Sequence, residues 1–329
     1  MNPRERFRAV LNGEKPDILP MIEWAPWWNK TIERWQTEGM PALNYPQSLQ
    51  YFGLEELHNI GVTAPLPPAQ GHGVGVIKDE KDYFDIVKNN DIYSDAHIEN
   101  FISNIKNYKE RHDNGEISIR IWLDGFFWYP RRLFGIEPHF YAFYDYPELL
   151  AQINRDLEDF NMRVLRELFK VLKPEFIGYG EDMSYNHGPM LSKESFEKFI
   201  TPHYKTLTKF TRENGVKTLI DTDGDVTEMI PWLIDCGADG VYPLERQANV
   251  DVAKIRTEYP TFIMLGGYDK TVMHKGEAAI RAEFERLLPV MRTGYFIPSV
   301  DHQTPPEVSF EDYKLYVKIF REYCEKAVF

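Results

Sequence analysis

The chain has 329 residues, of which 43% are hydrophobic, and its 51 acidic residues outnumber its 38 basic residues to give a formal net charge of −13. A chain of this length can bury a large core, in either one large domain or two ordinary ones. The negative charge and the lack of a Lys/Arg-rich stripe argue against nucleic acid as a partner, because a phosphate backbone would be repelled.

Hydropathy and cysteine content predict a reduced, cytoplasmic protein. No window approaches the roughly 18 to 20 apolar residues that span a bilayer, so we expect no membrane association, and the N-terminus lacks the apolar core of a signal peptide. Cys236 and Cys324 lie far apart in helical-looking segments. This spacing suggests neither a CxxC metal site nor a disulfide framework, and we interpret both as reduced, packing cysteines.

The first third of the chain contains one clear strand candidate and a long irregular region. Residues 18–24 are predicted to form the first strand, and a second strand is placed near residues 83–87. Residues 27–114 are aromatic, rich in Pro and Gly, and poorly periodic. We interpret them as long insertions over one face of the fold, with an independent domain as the alternative.

From residue 116 onward, short β-rich runs alternate with stretches of helical periodicity. Residues 147–172 form a long amphipathic pattern that Pro174 ends, and Ser192 is predicted to cap a helix that runs to about Asn214. The other predicted elements are strands at 116–123, 175–180, 216–220, 240–244, 261–265 and 295–300, and helices at about 226–236, 249–258, 276–292 and 309–327.

This alternation is typical of repeated βα units on a parallel sheet. The six later strands and the two in the first third would make eight. The sequence therefore predicts an α/β fold, a (β/α)8 TIM barrel with N-terminal insertions, formed by residues 1–329 as one domain.

Acidic residues follow almost every predicted strand. In a barrel these positions line the catalytic face. Several carboxylates that face one cavity repel each other unless a metal, a bound cation, protonation or hydrogen bonding compensates. The acids at these ends are Glu23, Asp124, Glu181, Asp182, Asp221, Asp223, Glu245, Asp269 and Asp301.

Some of these acids are better functional candidates than others. Asp221 directly follows an apolar run, where a buried strand would end, whereas Asp225 precedes a helical run and is interpreted as a helix cap. Glu181 and Asp182 lead into a polar loop, a setting typical of catalytic groups. We therefore predict catalytic roles for Glu181, Asp182 and Asp221.

Histidine and aromatic residues complete the predicted site. His302 follows Asp301 at a strand end, where either metal ligation or acid/base work is open. Aromatic clusters at residues 24–28 and 122–129 suggest a ring-lined pocket for an apolar, aromatic or cationic group. The candidate substrate contacts are Glu23, Trp24, Trp28, Trp122, Asp124, Phe127 and Tyr185.

Five separate motifs in order resemble the uroporphyrinogen decarboxylase superfamily, which includes the decarboxylase and cobalamin-linked methyltransferases. They are PRERFRAVLNGEKPDILP at 3–20, GEDMSYNHGPMLS at 180–192, DTDGD at 221–225, LGGYDK at 265–270 and IPSVDHQTPP at 297–306. The resemblance covers nearly the whole chain. It implies a (β/α)8 barrel with its site at the strand carboxyl ends, and such barrels often form homodimers.

Departures from the family pattern separate its two activities. True decarboxylases have an N-terminal Arg-Gln-Ala-Gly-Arg stretch that grips the substrate carboxylates, whereas residues 23–28 here contain no arginine. An octacarboxylate would also meet the acidic strand ends, and Arg131 and Arg132 are too few to hold it. The methyltransferase branch is therefore the closer match.

Those methyltransferases hold zinc through a His-x-Cys pair and a later Cys. The resemblance places Asp221, Asp223 and His302 at the corresponding positions of this chain. Two carboxylates and an imidazole form a harder ligand set than thiolates, one compatible with zinc, iron, manganese or another divalent ion. The loss of thiolate ligands puts activation of a thiol substrate in doubt.

Two functions follow from these residues. The first is a methyltransferase that demethylates a small methylated compound, assisted by a metal at Asp221, Asp223 and His302, and passes the methyl group to a corrinoid protein or another acceptor. The second is a metal-free carboxy-lyase in which a carboxylic acid of raised pKa protonates a carbanion. The remaining alternative is a binding protein whose barrel has lost catalytic activity, and the many retained acids argue against it.

Overall fold

A computed structural model describes residues 1–69 and 71–328, which fold into a parallel sheet surrounded by helices. The strands are β1 (Leu57–Val62), β2 (Ser118–Asp124), β3 (Phe176–Gly180), β4 (Ser184–Tyr185), β5 (Gly188–Pro189), β6 (Lys217–Asp221), β7 (Gly240–Tyr242), β8 (Ile263–Tyr268) and β9 (Phe296–Val300). The α-helices are α1 (Pro3–Leu11), α2 (Asn29–Thr37), α3 (Tyr45–Phe52), α4 (Glu80–Tyr83), α5 (Asp95–Lys106), α6 (Lys109–Asp113), α7 (Trp128–Phe134), α8 (Ile136–Asp145), α9 (Pro147–Val171), α10 (Lys193–Phe199), α11 (Thr201–Glu213), α12 (Ile230–Asp235), α13 (Val252–Glu258), α14 (Glu277–Met291) and α15 (Phe310–Lys326). Short 3₁₀ turns precede or follow several strands.

The main sheet in the described residues has seven parallel strands in the order β1-β2-β3-β6-β7-β8-β9. Strands β4 and β5 form a small antiparallel hairpin after β3. The order follows the chain without a reversal, as in a TIM-like barrel, so the carboxyl ends of all seven strands meet at one edge. The fold is thus mixed α/β, with a parallel sheet of seven paired strands where eight were predicted.

The strands predicted from residue 116 onward are all present, and helix α9 confirms the long amphipathic pattern. Buried residues at helical spacing, such as Leu150, Ile153 and Leu157, pack α9 onto the sheet. The helix predicted after Ser192 divides at Ile200 into α10 and α11. Pro202 lacks the N–H that would bond to the carbonyl four residues earlier in a continuous helix, and it stands in the first turn of α11, which explains the break nearby.

The predicted first strand at residues 18–24 was wrong in one respect, because the segment does not pair as a strand. It still contacts both edges of the sheet: Met21 accepts a hydrogen bond from Glu55 beside β1, and the Trp24 peptide N–H donates to Ser299 of β9. Side-chain bonds replace a backbone ladder here. The Glu23 carboxylate accepts from the Val300 peptide N–H, which regular pairing would have used.

The predicted second strand was also wrong. Residues 83–87 are helical, because Asp79 caps helix α4 by accepting from the Asp82 peptide N–H and a π-helical turn continues it. The strand lies instead at Leu57–Val62 within the region interpreted as insertions. Its sequence, LHNIGV, contains two polar residues and a glycine, so it lacks the continuous apolar run of a strand such as β8.

One set of buried hydrophobic residues extends from Phe7 near the N-terminus to Ala327 near the C-terminus. Cys236 and Cys324 are free thiols buried within it. In the described part of the chain, none of the helices has the length and apolar character needed to cross a bilayer.

Candidate active site

A pocket of about 360 Å³ opens at the carboxyl edge of the sheet, where β2, β3 and β6 end. Asp182, Asp221 and Asp223 line it together with Arg120, His302 and three tryptophans. Larger clefts, of about 510 Å³ each, lie beside α1 and between α3 and α15, but helix and loop surfaces form them. Because sites in parallel α/β folds lie at the strand carboxyl ends, we assign the candidate active site to this edge pocket.

Asp221 ends strand β6 and faces the edge pocket. The Trp122 indole N–H donates to its Oδ2 at 3.2 Å. The Trp122 ring can reach Asp221 only because residue 180 is glycine, since a Cβ at Gly180 would lie 2.1 Å from Cζ2 of Trp122. Burial raises the pKa of Asp221 to about 7, against the opposing positive charge of Arg120. Asp221 can therefore hold and release a proton near neutral pH.

Asp182 follows β3 in a strained backbone conformation, with a φ of 42°. Non-glycine residues rarely adopt this region, and such strain concentrates at functional sites. Two hydrogen bonds hold this backbone in place. The Asp182 peptide N–H donates to the Asp221 carbonyl at 3.4 Å, and the Arg131 side chain donates to the Asp182 carbonyl at 3.1 Å. Burial raises the pKa of the Asp182 carboxyl. Its backbone is thus fixed while its carboxyl lines the edge pocket.

Asp223 lies nearer the mouth of the edge pocket, with a side chain that is 41% exposed. Burial first, and then the negative charges of Asp182 and Glu245, raise its pKa to about 8. Solvent screening weakens these effects at a side chain this exposed, whereas Asp221 is better buried.

His302 stands beside Asp223, with its Nε2 3.8 Å from the carboxylate Oδ2. Burial lowers the pKa of His302, and burial raises that of Asp223. His302 is therefore mainly neutral at pH 7, and the contact is not an ion pair. The Trp24 ring packs edge-on against the imidazole, with ring centroids 6.0 Å apart.

The predicted metal ligands Asp221, Asp223 and His302 all line the edge pocket, but they are not arranged as a metal centre. Over residues 1–69 and 71–328, no group of three or more His, Cys, Asp or Glu side chains could hold a metal ion. The Oδ2 atom of Asp221 accepts a hydrogen bond from the Trp122 indole N–H. As placed, the donor set does not fit a divalent ion.

Three tryptophan rings form the aromatic part of the edge pocket. Trp24 and Trp122 were predicted as substrate contacts, and Trp128 belongs to the same predicted aromatic cluster. The Trp24 indole N–H donates to the Val300 carbonyl at 2.6 Å, which fixes its ring against β9. Arg131 lies over the Trp128 ring at 5.5 Å. A small apolar or cationic group can pack among these rings.

Arg120 is the site residue that the sequence reasoning missed. It lies inside strand β2, is 3% exposed and lines the edge pocket with Asn59 of the neighbouring strand. The alternation in Ser-Ile-Arg-Ile-Trp-Leu-Asp of β2 was the available signal, because Arg120 shares a face with Trp122. An arginine on the same face as a predicted site residue could have been included.

Glu181, predicted as catalytic, does not line the edge pocket, and its geometry favours a structural role. Its carboxylate accepts from the peptide N–H groups of Phe126, Phe127 and Trp128, at 2.7 to 3.0 Å, and from the Tyr204 hydroxyl. Burial raises its pKa to about 7 against these hydrogen bonds. Glu181 thus anchors the loop between β2 and α7 and satisfies the N-terminal N–H groups of that helix.

Glu23 and Asp124, predicted as substrate contacts, also lie outside the edge pocket. Glu23 accepts hydrogen bonds from Ser299 at 2.9 Å and Tyr313 at 3.1 Å, and burial raises its pKa to about 7. Asp124 forms a salt bridge with Arg132 at 3.1 Å. Both carboxylates are therefore engaged within the protein.

The other predicted substrate contacts are not brought to the edge pocket either. Phe127 is fully buried against the His139 ring, 4.6 Å away between centroids. Trp28 is 42% exposed just before α2, and Tyr185 is 48% exposed in the β4–β5 hairpin. Sequence position at a strand end or in a loop did not reveal which way these rings point.

The remaining strand-end acids have partners within the fold. Glu245 accepts from the Gly224 peptide N–H at 2.9 Å, Asp269 caps a 3₁₀ turn, and Asp301 pairs with Lys270 at 3.2 Å. The Asp225 side chain accepts from the Thr227 peptide N–H, but Val226 is the N-cap of the 3₁₀ turn that follows, so Asp225 forms a local turn instead of the predicted helix cap. Asp182, Asp221 and Asp223 are thus the acids that line the edge pocket.

Comparison with known proteins places this fold and sequence in a family context. The uroporphyrinogen decarboxylase (URO-D) family model matches residues 135–323, more than half of the chain. A solved structure named "methyltransferase from Methanosarcina mazei" superposes with a TM-score of 0.65 at 14% identity, covering 99% of each chain. No curated protein has a significantly similar sequence.

A second solved structure is similar only at a coarser level. It is the "Putative Vitamin-B12 Independent Methionine Synthase from Listeria monocytogenes", with a TM-score of 0.45, 13% identity and coverage of 96% of this chain and 97% of that one. At these identities the likeness concerns the fold, and we draw no functional argument from this second structure.

Proposed function

The chain belongs to the uroporphyrinogen decarboxylase (URO-D) family, and from this premise we propose that it is a methyltransferase. It would remove a methyl group from a small methylated compound and pass it to a corrinoid protein or another acceptor. The observation that carries the proposal is the edge pocket itself, where Trp24, Trp122 and Trp128 surround the protonatable carboxyl of Asp221. The fold that the chain shares with the methyltransferase from Methanosarcina mazei is compatible with it.

In the proposed reaction the methyl group of the substrate packs against the tryptophan rings. The bond between the methyl carbon and its heteroatom breaks, and the bonding electron pair stays on the heteroatom. Asp221 donates its proton to that heteroatom, which leaves as a neutral group. The methyl carbon forms its new bond with an electron pair of the acceptor, and Asp221 regains a proton from water at the mouth of the edge pocket.

The neighbours of Asp221 support this role. The Trp122 indole N–H stabilises the carboxylate that remains after proton transfer, because a hydrogen bond to the charged form favours it. The charge of Arg120 acts in the same direction. Asp182 opposes ionisation through its own negative charge, so Asp221 is held between its two protonation states.

The proposal is tested with purified protein, reduced free cobalamin as the acceptor, and a panel of methylated alcohols, amines, thioethers and methoxybenzoates. Methylcobalamin formation is followed by its absorbance. At least one donor is expected to react, and Asp221→Asn is expected to slow the reaction about 100-fold or more through loss of the proton donor. Asp225→Asn is the matched control, since Asp225 caps a turn outside the edge pocket.

A carboxy-lyase is the second candidate, and Arg120 is the observation that favours it. An arginine beside a protonatable acid can hold a carboxylated substrate while Asp221 protonates the carbon that loses carbon dioxide. The sequence argued against a decarboxylase because residues 23–28 contain no arginine to bind a substrate carboxylate. Arg120 weakens that argument, because it supplies such a group from strand β2. Carbon dioxide release from a carboxylated compound, with no methyl transfer from the whole panel, would replace the first proposal with this one.

Other features of the account stay predictions. A divalent metal at Asp221, Asp223 and His302 would require these side chains to turn toward one another. A corrinoid protein partner, a homodimer, a single domain over residues 1–329, a closed eight-stranded barrel and a cytoplasmic location also stay predictions. Pull-down with corrinoid carriers and sedimentation analysis address the partner and the oligomer directly.

A further inference from the structure

The guanidinium of Arg120 is buried in the edge pocket with most of its hydrogen-bonding capacity unused. An arginine side chain carries five N–H donors. Its one side-chain hydrogen bond runs from Nη2 to the Trp24 carbonyl at 3.0 Å. Nε and Nη1 have no hydrogen-bond partner in the described part of the chain, although the residue is only 3% exposed.

The guanidinium is also held in place. Its Cζ lies 5.3 Å from the centre of the Trp24 ring and 5.1 Å from that of Tyr242, so two aromatic rings flank it. These contacts restrict its plane without using its remaining N–H groups. A buried, fixed cation whose N–H groups lack acceptors costs free energy, and a carboxylate from the ligand that accepts from them would offset that cost.

We propose that Arg120 binds a carboxylate group of the substrate, and that the substrate is therefore a small methylated carboxylic acid. This inference rests on the proposed function for the methyl group and on the geometry of Arg120 for the carboxylate. In the bound state the guanidinium donates two parallel hydrogen bonds to the two carboxylate oxygens. The rest of the substrate packs among Trp24, Trp122 and Trp128.

Charge matching favours a carboxylate over a more highly charged anion. One guanidinium balances one negative charge, and Arg120 is the single arginine or lysine that lines the edge pocket in the described residues. Three acids line the same cavity, and they would repel a phosphate dianion. The planar fork of the guanidinium also matches the planar carboxylate.

The test uses benzoate as the probe and benzamide as its neutral counterpart of nearly the same shape. Isothermal titration calorimetry measures both affinities for the wild-type protein and for the variants Arg120→Met and Arg120→Lys. The control is Arg246→Met, because Arg246 lies at the same edge of the sheet but does not line the edge pocket. Thermal unfolding of each variant checks that it is folded.

Benzoate is expected to bind the wild-type protein at least tenfold more tightly than benzamide. Arg120→Met should weaken benzoate binding about 10-fold to 100-fold and change benzamide binding less than about threefold, and Arg246→Met should change neither. Arg120→Lys should fall between the wild-type protein and Arg120→Met, since it keeps the charge and loses the fork.

Equal wild-type affinities for the two probes would overturn the proposal, even if Arg120→Met does not fold. An equal loss of both probes in the folded variants would do the same, because it would indicate a role in shaping the edge pocket. The binding experiment does not require turnover. Failure to find methyl transfer would therefore remove the methyl group from this inference but leave the carboxylate site at Arg120 standing, and loss of benzoate preference would leave the methyltransferase proposal standing.

Discussion

Replacing Glu181 by glutamine separates a structural role from the catalytic role that the sequence suggested. The carboxylate accepts hydrogen bonds from three peptide N–H groups and the Tyr204 hydroxyl. Glutamine offers one carbonyl oxygen, which can keep the bonds from Phe127 and Trp128. Its amide N–H₂ then faces the Phe126 N–H, while the Tyr204 hydroxyl can rotate to accept.

The cost of Glu181→Gln follows from these contacts. One buried peptide N–H is left without an acceptor, which costs about 1 to 3 kcal/mol, and the two retained bonds lose their charge assistance. Glutamine is neutral and so removes the cost of burying a carboxylate, which is the cost that raises the pKa of Glu181 to about 7; this gain offsets part of the lost hydrogen-bond energy. We expect the free energy of unfolding to fall by about 2 kcal/mol.

The measurement is urea unfolding at pH 7.5, followed by tryptophan fluorescence. Tyr204→Phe removes one of the four hydrogen bonds and should cost about 1.5 kcal/mol. Asp182→Asn, inside the edge pocket, should lower activity and change stability by less than about 0.5 kcal/mol. A Glu181→Gln protein that unfolds like the wild type but has lost its activity 100-fold would refute the structural assignment.

Three further changes test other parts of the account. Glu23→Gln should stabilise the fold by about 2 to 3 kcal/mol at pH 8 and have little effect at pH 4.5. Burial raises the pKa of Glu23 from 4.5 to about 7, so the wild-type protein loses proton-linked stability as the pH rises through that window, and the glutamine variant does not. Equal effects at both pH values in urea unfolding would contradict this. Gly180→Ala should lower the free energy of unfolding by about 1 to 3 kcal/mol and displace Trp122 from Asp221, because the new Cβ would overlap the indole. A fully stable variant whose crystal structure shows Trp122 unmoved would contradict this. Elemental analysis of fresh protein should find no stoichiometric transition metal, whereas one zinc ion per chain that is lost in His302→Ala would establish the metal site predicted from the sequence.

The regular part of the fold could be predicted because its signals are local. Buried strands such as β3 and β8 are continuous apolar runs, and α9 repeats apolar residues at helical spacing over 25 residues. Strand β1 could not be found this way, since its pattern is broken by His58 and Asn59. Its position depends on pairing with β2, which is a long-range contact.

The candidate site could be predicted to the level of the strand ends but not to the level of side-chain direction. Asp182 and Asp221 were correctly placed at the edge of the sheet, and the structure brings both into one pocket with Asp223. Glu181 is adjacent to Asp182 in sequence and yet turns into the core, where the N-terminus of α7 supplies its donors. Only the packed structure determines which of two neighbouring acids meets such donors.

Arg120 was missed for a different reason. Decarboxylases of the family have their anion-binding arginines in the N-terminal segment, whereas this arginine comes from inside strand β2. A charged residue in a buried strand is costly unless it is paired or functional. That cost was readable from the sequence, although the rings of Trp24 and Tyr242 that flank it were not.

The most direct test of the central claim follows the methyl group itself. Wild-type protein and Asp221→Asn are incubated with reduced cobalamin and methyl donors labelled with carbon-13, and the product is examined by NMR. We expect a labelled methyl group on cobalamin with the wild-type protein and a loss of about 100-fold or more with the variant. Equal rates for the two proteins, or labelled donors that remain intact while carboxylated compounds release carbon dioxide, would contradict the assignment of the edge pocket to methyl transfer.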